Sequence, residues 1–237
     1  MNPRPDVNLK IPTSRESAIQ ARRILHLTPL GTLSTTFPSS ANSHPRGTAE
    51  ISENRPEEVA GISIGLTDYI ADCESSGDPT ILAINIATSF KNVAAGSNIS
   101  LSLQWVPPYA PSSRIENYKE AVPFSAANLP RFALLGYLET IPEAEVESLG
   151  LRECFTKVHR DAKYWLPGNS IHHSEWKRLV VQQIYWVGGF GDRAYIGWIP
   201  IEEWRSVTRK EWEGIRLQGE KKGWKEWAFD SIRQWEL

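Results

Sequence analysis

Ile184-Tyr185-Trp186-Val187-Gly188-Gly189-Phe190-Gly191-Asp192-Arg193-Ala194-Tyr195-Ile196-Gly197-Trp198-Ile199-Pro200 decides the fold of this chain. The run Leu179–Val187 leads into it, and its Val, Ile, Tyr and Trp suit a buried pleated surface. Gly188, Gly189 and Gly191 then remove side chains where the backbone bends or lies close to a neighbour. A second β-rich run, Ala194–Ile199, stops at Pro200, which has no N–H for a ladder. The plain reading is a tight turn between two strands. A backbone wall against a flat cofactor is the functional alternative.

Outward from this hairpin the chain alternates as strands at Thr32–Phe37, Gly61–Ile70, Thr80–Asn85, Asn98–Trp105 and Arg131–Glu139. Gly47–Ile51 is a candidate returning strand after a Ser/Asn/Pro loop. Thr13-Ser14-Arg15-Glu16 fits a capping box, and Ala18, Ala21, Ile24 and Leu25 follow at helical spacing, with Gly31 as the stop. Ala87–Gly96 reads as a short helix ended by glycine. Pro142–Phe155 reads as one amphipathic helix. Val106–Pro130 is a proline-studded excursion too long for an ordinary connection. Many short strands with a few helices on their turns imply an α+β protein built on an antiparallel, closed or nearly closed β-barrel.

The 237 residues carry 26 Lys+Arg against 28 Asp+Glu, a formal net charge of −2. That balance gives no electrostatic footprint for nucleic acid. No apolar run approaches the ~18 residues of a membrane span. The opening residues are polar and proline-rich, without the apolar stretch of a secretory leader, so a cytoplasmic location is expected. Cys73 and Cys154 lie far apart without a CxxC partner and read as ordinary thiols of a reducing compartment. The sequon Asn98-Ile99-Ser100 falls in a run read as strand, where a glycan does not fit, and reads as chance.

Nucleophile elbows, P-loops and Rossmann fingerprints are missing from the sequence. His159, His172 and His173 match no zinc spacing. Adjacent histidines on an extended segment point to opposite faces, so at most one of His172 and His173 faces inward. Asp161, Asp192, Glu202 and Glu203 read as solvated charges on turns. Ten tryptophans are more than one small barrel needs inside. Trp176, Trp186 and Trp198 read as barrel or interface aromatics, and Trp212, Trp224, Trp227 and Trp235 as anchors docking a charged tail.

A family resemblance runs through these segments in order. Ala21–His26 with Gly31–Thr35, Gly77-Asp78-Pro79, Thr88–Val93, Asn98–Leu101, Arg131–Gly136, Val158–Trp165 and His173–Trp176 before the Gly-Phe-Gly turn resemble one branch of known proteins. It is the CREG-like branch of the pyridoxamine-phosphate-oxidase-like, FMN-binding split barrels. The resemblance implies a six-stranded split barrel over residues 16–207, after a disordered segment 1–15 and before a charged, Trp-rich helical tail 208–237. It also implies a homodimer with a small-molecule cofactor in its interface grooves.

FMN is the expected cofactor, with its phosphate at Thr88, Ser89, Lys91 and Asn92 and its ring near Gly189 and Phe190. Where the strongest flavin binders carry Arg-Lys, this chain has Thr88-Ser89. If the chain is an enzyme, the resemblance implies a flavin-dependent oxidoreductase of undefined small-molecule substrate. Two alternatives stay open. One is a haem-binding or haem-degrading barrel, because Gly189–Ala194 resembles the turn of haem-degrading members. The other is a cofactor-free interaction protein, since some members of the branch bind no flavin.

Overall fold

The computed structural model describes residues 11–39, 55–109, 126–191 and 193–221. The candidate strand at Gly47–Ile51, the opening segment 1–10 and the last residues of the tail lie outside them. The chain partitions into two compact units. One gathers the described residues of Leu25–Leu103 and Ala133–Ile184, the other those of Met1–Ile24, Gln104–Phe132 and Tyr185–Leu237.

The first unit holds most of the sheet. β1 (Leu30–Thr36) pairs antiparallel with β2 (Ser63–Tyr69) and, on its other side, with β4 (Ile99–Gln104). β3 (Thr80–Ile84) pairs antiparallel with β6 (Ser174–Val187), and β5 (Arg131–Thr140) lies between β4 and β6. The order is therefore β2-β1-β4-β5-β6-β3. Its two ends meet at one rung: Ala71 and Thr80 exchange backbone hydrogen bonds of 3.0 and 2.8 Å. Six antiparallel strands closed by a single bridge make a split barrel, as the alternating patterns predict.

Period-2 burial explains the register. In β4, Ile99, Leu101 and Leu103 point inward while Ser102 and Gln104 face out. β3 is buried on both faces, consistent with its unbroken apolar run. β6 starts at Ser174, five residues before the apolar run. Its first stretch alternates, burying Trp176 while Glu175 and Lys177 pair at 2.7 Å on the other face.

Two helical expectations are corrected. α1 (Ser14–Leu27) stops before Thr28-Pro29, and Gly31 lies inside β1. The residue before a proline is biased away from helical backbone, so Pro29 supplies the stop. The single helix at Pro142–Phe155 is two, α3 (Glu143–Ser148) and α4 (Leu151–Val158). Gly150, in left-handed backbone at φ +62°, separates them. α2 (Thr88–Ala94) fills the remaining connection, ended as expected near Gly96 at φ +97°. The core under α3 and α4 gathers Leu82, Ile141, Val146, Leu151, Phe155 and Trp176.

Cys73 and Cys154 are not free thiols. They form a disulfide with Cα atoms 5.9 Å apart. Cys73 follows β2, Cys154 lies on α4, and Cys73 packs on the same core as α4's Phe155. Separation in sequence carries no information about that meeting.

The second unit is built from most of α1, β7 (Ile196–Ile199), α5 (Ile201–Arg205) and α6 (Arg209–Gly214). β7 pairs with β6, and Gly188 N–H donates to Tyr195 O at 3.0 Å. The predicted box caps α1, with Thr13 N–H donating to Glu16 Oε2 at 2.7 Å and Glu16 N–H to Thr13 Oγ1 at 3.1 Å. Trp212 is buried, as a docking anchor requires.

Candidate functional site

Thr88, Ser89, Lys91 and Asn92 come together on α2. Their roles differ. Ser89 and Asn92 are buried, and Asn92 Nδ2 donates to Thr35 Oγ1 at 3.0 Å, which bolts α2 to β1. Ser97 continues the attachment by accepting from Thr36 N–H at 2.8 Å. Ala87 caps the helix without a side-chain hydrogen bond. Lys91 is half-buried, and its side chain makes no hydrogen bond or ion pair among the described residues. α2 therefore presents an unneutralised cation on a rigidly held base.

Gly189 and Phe190 belong to the other unit. A Cβ on Gly189 would sit 3.0 Å from both the backbone O and Oδ1 of Asn128, and its φ is +146°. Glycine is required there by the close approach of the 126–128 turn. Phe190 is exposed, and the same unit carries an exposed aromatic pair: Trp198 is 54% exposed and meets Tyr185 edge-on at 5.1 Å. Trp186, in contrast, is buried against Phe132 at 5.8 Å, and Trp176 is buried in the first unit.

The histidine loop supplies a constellation that spacing does not reveal. His159 is 6% exposed, and its Nε2 lies 2.9 Å from Ile70 O. A carbonyl only accepts, so Nε2 carries the proton and Nδ1 is the basic nitrogen. The imidazole stacks on Tyr69, centroids 4.2 Å apart, and tilts against Phe155 at 4.8 Å. Tyr69 Oη donates to Asp161 Oδ2 at 2.7 Å. That bond holds the Asp161 carboxyl below the usual range and pushes the Tyr69 phenol up. Burial pushes the Asp68 carboxyl up, against the Tyr69 N–H that it accepts. Asp161 is thus an exposed carboxylate, as the sequence suggests, that also accepts a hydrogen bond from Tyr69. No signal in the sequence links residues 69 and 159, because β2 and α4 meet only in the folded unit.

Two other described histidines sit beside carboxylates. His26 Nδ1 lies 3.4 Å from Asp72, and the well-exposed His173 lies 3.4 Å from Glu175. Among the described residues no cluster of His, Cys, Asp and Glu is arranged to hold a metal ion. No described helix is long and apolar enough to cross a membrane.

A family model described as "CREG, beta-barrel" matches residues 12–206. Curated proteins contain no match to this chain. Among solved structures, it is similar to a heme-binding protein from Mycobacterium smegmatis, with TM-score 0.51 and 19% identity. That alignment covers 83% of this chain and 62% of the other, so this chain spans less than two thirds of that protein. HutZ, a heme storage protein from Vibrio cholerae, aligns with TM-score 0.40 and 12% identity, over 74% of this chain and 95% of its own. A Clostridium acetobutylicum protein of the pyridoxinephosphate oxidase family aligns with TM-score 0.40 and 10% identity, over 73% and 89%. The first likeness is one of fold.

Proposed function

This chain belongs to the CREG β-barrel family, and from that premise we propose that it binds FMN, held by its phosphate at α2, in a groove completed by a second copy of the chain. The carrying observation is Lys91, a cation unpaired among the described residues, on a helix fixed to β1 by the buried Asn92–Thr35 bond. A helix of seven residues has a weak dipole, so the lysine supplies most of the attraction for a phosphate. The Thr88 hydroxyl adds a hydrogen-bonding group on the same turn. Asn92 acts by positioning the helix, since its amide is already engaged with Thr35. Exposed Phe190, Tyr185 and Trp198 offer apolar surface for the second copy.

When bound, the flavin supplies hydride and electron transfer, and the chain supplies binding and orientation. A flavin-dependent oxidoreductase acting on a small molecule is the enzymatic form of this reading. Haem remains the competing cofactor. His159 is poorly placed as its ligand, with Nε2 committed to Ile70 and the ring stacked on Tyr69.

Calorimetric titration of FMN and of hemin into wild type and Lys91→Ala tests the reading. Loss of a charge-assisted hydrogen bond worth about 1.5–3 kcal/mol weakens FMN binding roughly ten- to a hundredfold. Equal affinities for the two proteins remove Lys91 from the site. Absence of FMN binding by wild type refutes the flavin reading, and stoichiometric hemin uptake in its place selects the haem alternative.

A further inference from the structure

We propose that the Cys73–Cys154 disulfide is the covalent part of a redox-operated latch on the barrel seam, which a dithiol reductant opens and reoxidation closes. The seam is where the two ends of the strand order meet, and Ala71 and Thr80 form its rung. Elsewhere the strands pair over long ladders, as β1 and β2 do from Leu30–Tyr69 to Thr36–Ser63. A lone rung is held by its own two backbone bonds. Closure of the sheet at this point therefore depends on what grips the chain on either side of it.

The stretch 154–161 supplies that grip. Just before the rung, Ile70 O accepts from His159 Nε2–H at 2.9 Å. Tyr69 stacks on the same imidazole at 4.2 Å, and its Oη donates to Asp161 Oδ2 at 2.7 Å. Just after the rung, Cys73 is bonded to Cys154 on α4. The noncovalent links are the weaker ones, because Asp161 is exposed and water competes for the phenol. Beyond Cys73, Arg178 Nε donates to Glu74 Oε1 at 3.0 Å, and the same guanidinium pairs with Glu145 on α3. That anchor does not pass through the disulfide. Glu74 is therefore the pivot, and residues 69–73 are the part released.

Both cysteines are only partly buried, so a small dithiol reaches the bond. They are the only two in the chain, so no third thiol diverts the exchange. A thiolate of the dithiol attacks one sulfur, the S–S bond breaks, and a mixed disulfide forms as the other cysteine leaves as a thiolate. The second thiol of the reductant then displaces the remaining cysteine. Two electrons and two protons pass to the cysteines, and the dithiol becomes a disulfide. With the bond open, only noncovalent contacts join α4 to the exit of β2. Local openings then expose Tyr69, His159 and the Ala71–Thr80 rung to water, while β4 and β5 keep their ladders.

The test is amide hydrogen exchange of the full chain, read by mass spectrometry in the oxidised, dithiothreitol-reduced and reoxidised forms. Alkylation of Cys73 and Cys154 confirms the reduction. Exchange in residues 69–80 and 151–164 should quicken by about tenfold or more on reduction, return on reoxidation, and stay unchanged in β4 and β5 throughout. The Cys73→Ser, Cys154→Ser double variant should show the reduced pattern and ignore dithiothreitol. Tyr69→Phe removes the Asp161 bond and keeps the ring, so it should quicken exchange in the reduced form and leave the oxidised form unchanged. Unchanged exchange after complete reduction overturns the latch, as does a bond that dithiothreitol does not reach in the folded protein. Equal acceleration in β4 and β5, or outright unfolding, overturns it too, because the disulfide then holds the whole fold. A Tyr69→Phe effect of the same size in both forms uncouples the phenol from the disulfide and has the same consequence.

Discussion

Gly136 shows how one residue constrains the sheet. A Cβ at this position would lie 1.9 Å from the backbone O of Val180. β5 and β6 are neighbours, so the methyl would strike the adjacent strand's main chain, which cannot rotate away as a side chain can. Gly31 is the milder case: its virtual Cβ lies 2.3 Å from Leu101 Cδ1, the end of a flexible side chain. Gly136→Ala is therefore expected to cost about 3 kcal/mol, near the upper end for an overpacked site. Urea denaturation should show a clearly lowered midpoint, and a variant matching wild type would contradict the close approach.

At the scale of elements, the segment after α5 is held to α1 by paired charges. Arg15 donates to Glu203 O, Ser206 Oγ and Glu211, and Arg23 pairs with Glu220 and lies over the Trp212 ring at 5.8 Å. Trp105 Nε1 donates to Gln218 O at 2.7 Å. α6 carries its own capping box, Thr208 with Glu211. The Thr208 backbone and side-chain hydrogen bonds, then Arg15, lower the Glu211 carboxyl from 4.5 to about 2. A depressed acid contributes its stabilisation fully above about 4.5 and loses it as pH falls toward 2. Hydrogen exchange of residues 208–221 should accelerate selectively across that window. In Glu211→Gln, acceleration should already be present at neutral pH. An acid response unchanged in Glu211→Gln would assign it to another group.

The whole molecule offers two tests. The disulfide spans 81 residues of sequence. In the chain-entropy account, a loop that long is worth about 4.5 kcal/mol. Thermal unfolding with and without dithiothreitol should show a large drop for wild type and none for the Cys73→Ser, Cys154→Ser double variant. Equal stability of oxidised and reduced wild type would leave the bond without structural consequence. The proposed second copy is a claim about the assembled molecule. Light scattering at micromolar concentration should give about twice 26.7 kDa. Trp198→Arg, in the exposed aromatic pair, should shift that mass toward the monomer. A monomeric wild type ends the proposal and, with it, the shared groove.

Local and near-local features are determined by the sequence alone. The Thr13–Glu16 cap, the glycine ending α2 and the alternation in β4 and β5 each depend on neighbours a few residues away. Period-2 burial then leads from alternating runs to an antiparallel barrel. Close-range signals also mislead: Gly31 is less decisive than Pro29, and one apolar helix becomes two at Gly150. The tertiary structure alone decides what distant residues do. The Asn92–Thr35 bond and the Tyr69–Asp161 bond both join residues far apart in sequence. Cys73 and Cys154 become partners because the exit of β2 and α4 share one core. Each of these meetings is set by strand order and by packing over long sequence separations, and neither composition nor spacing encodes them in any readable form.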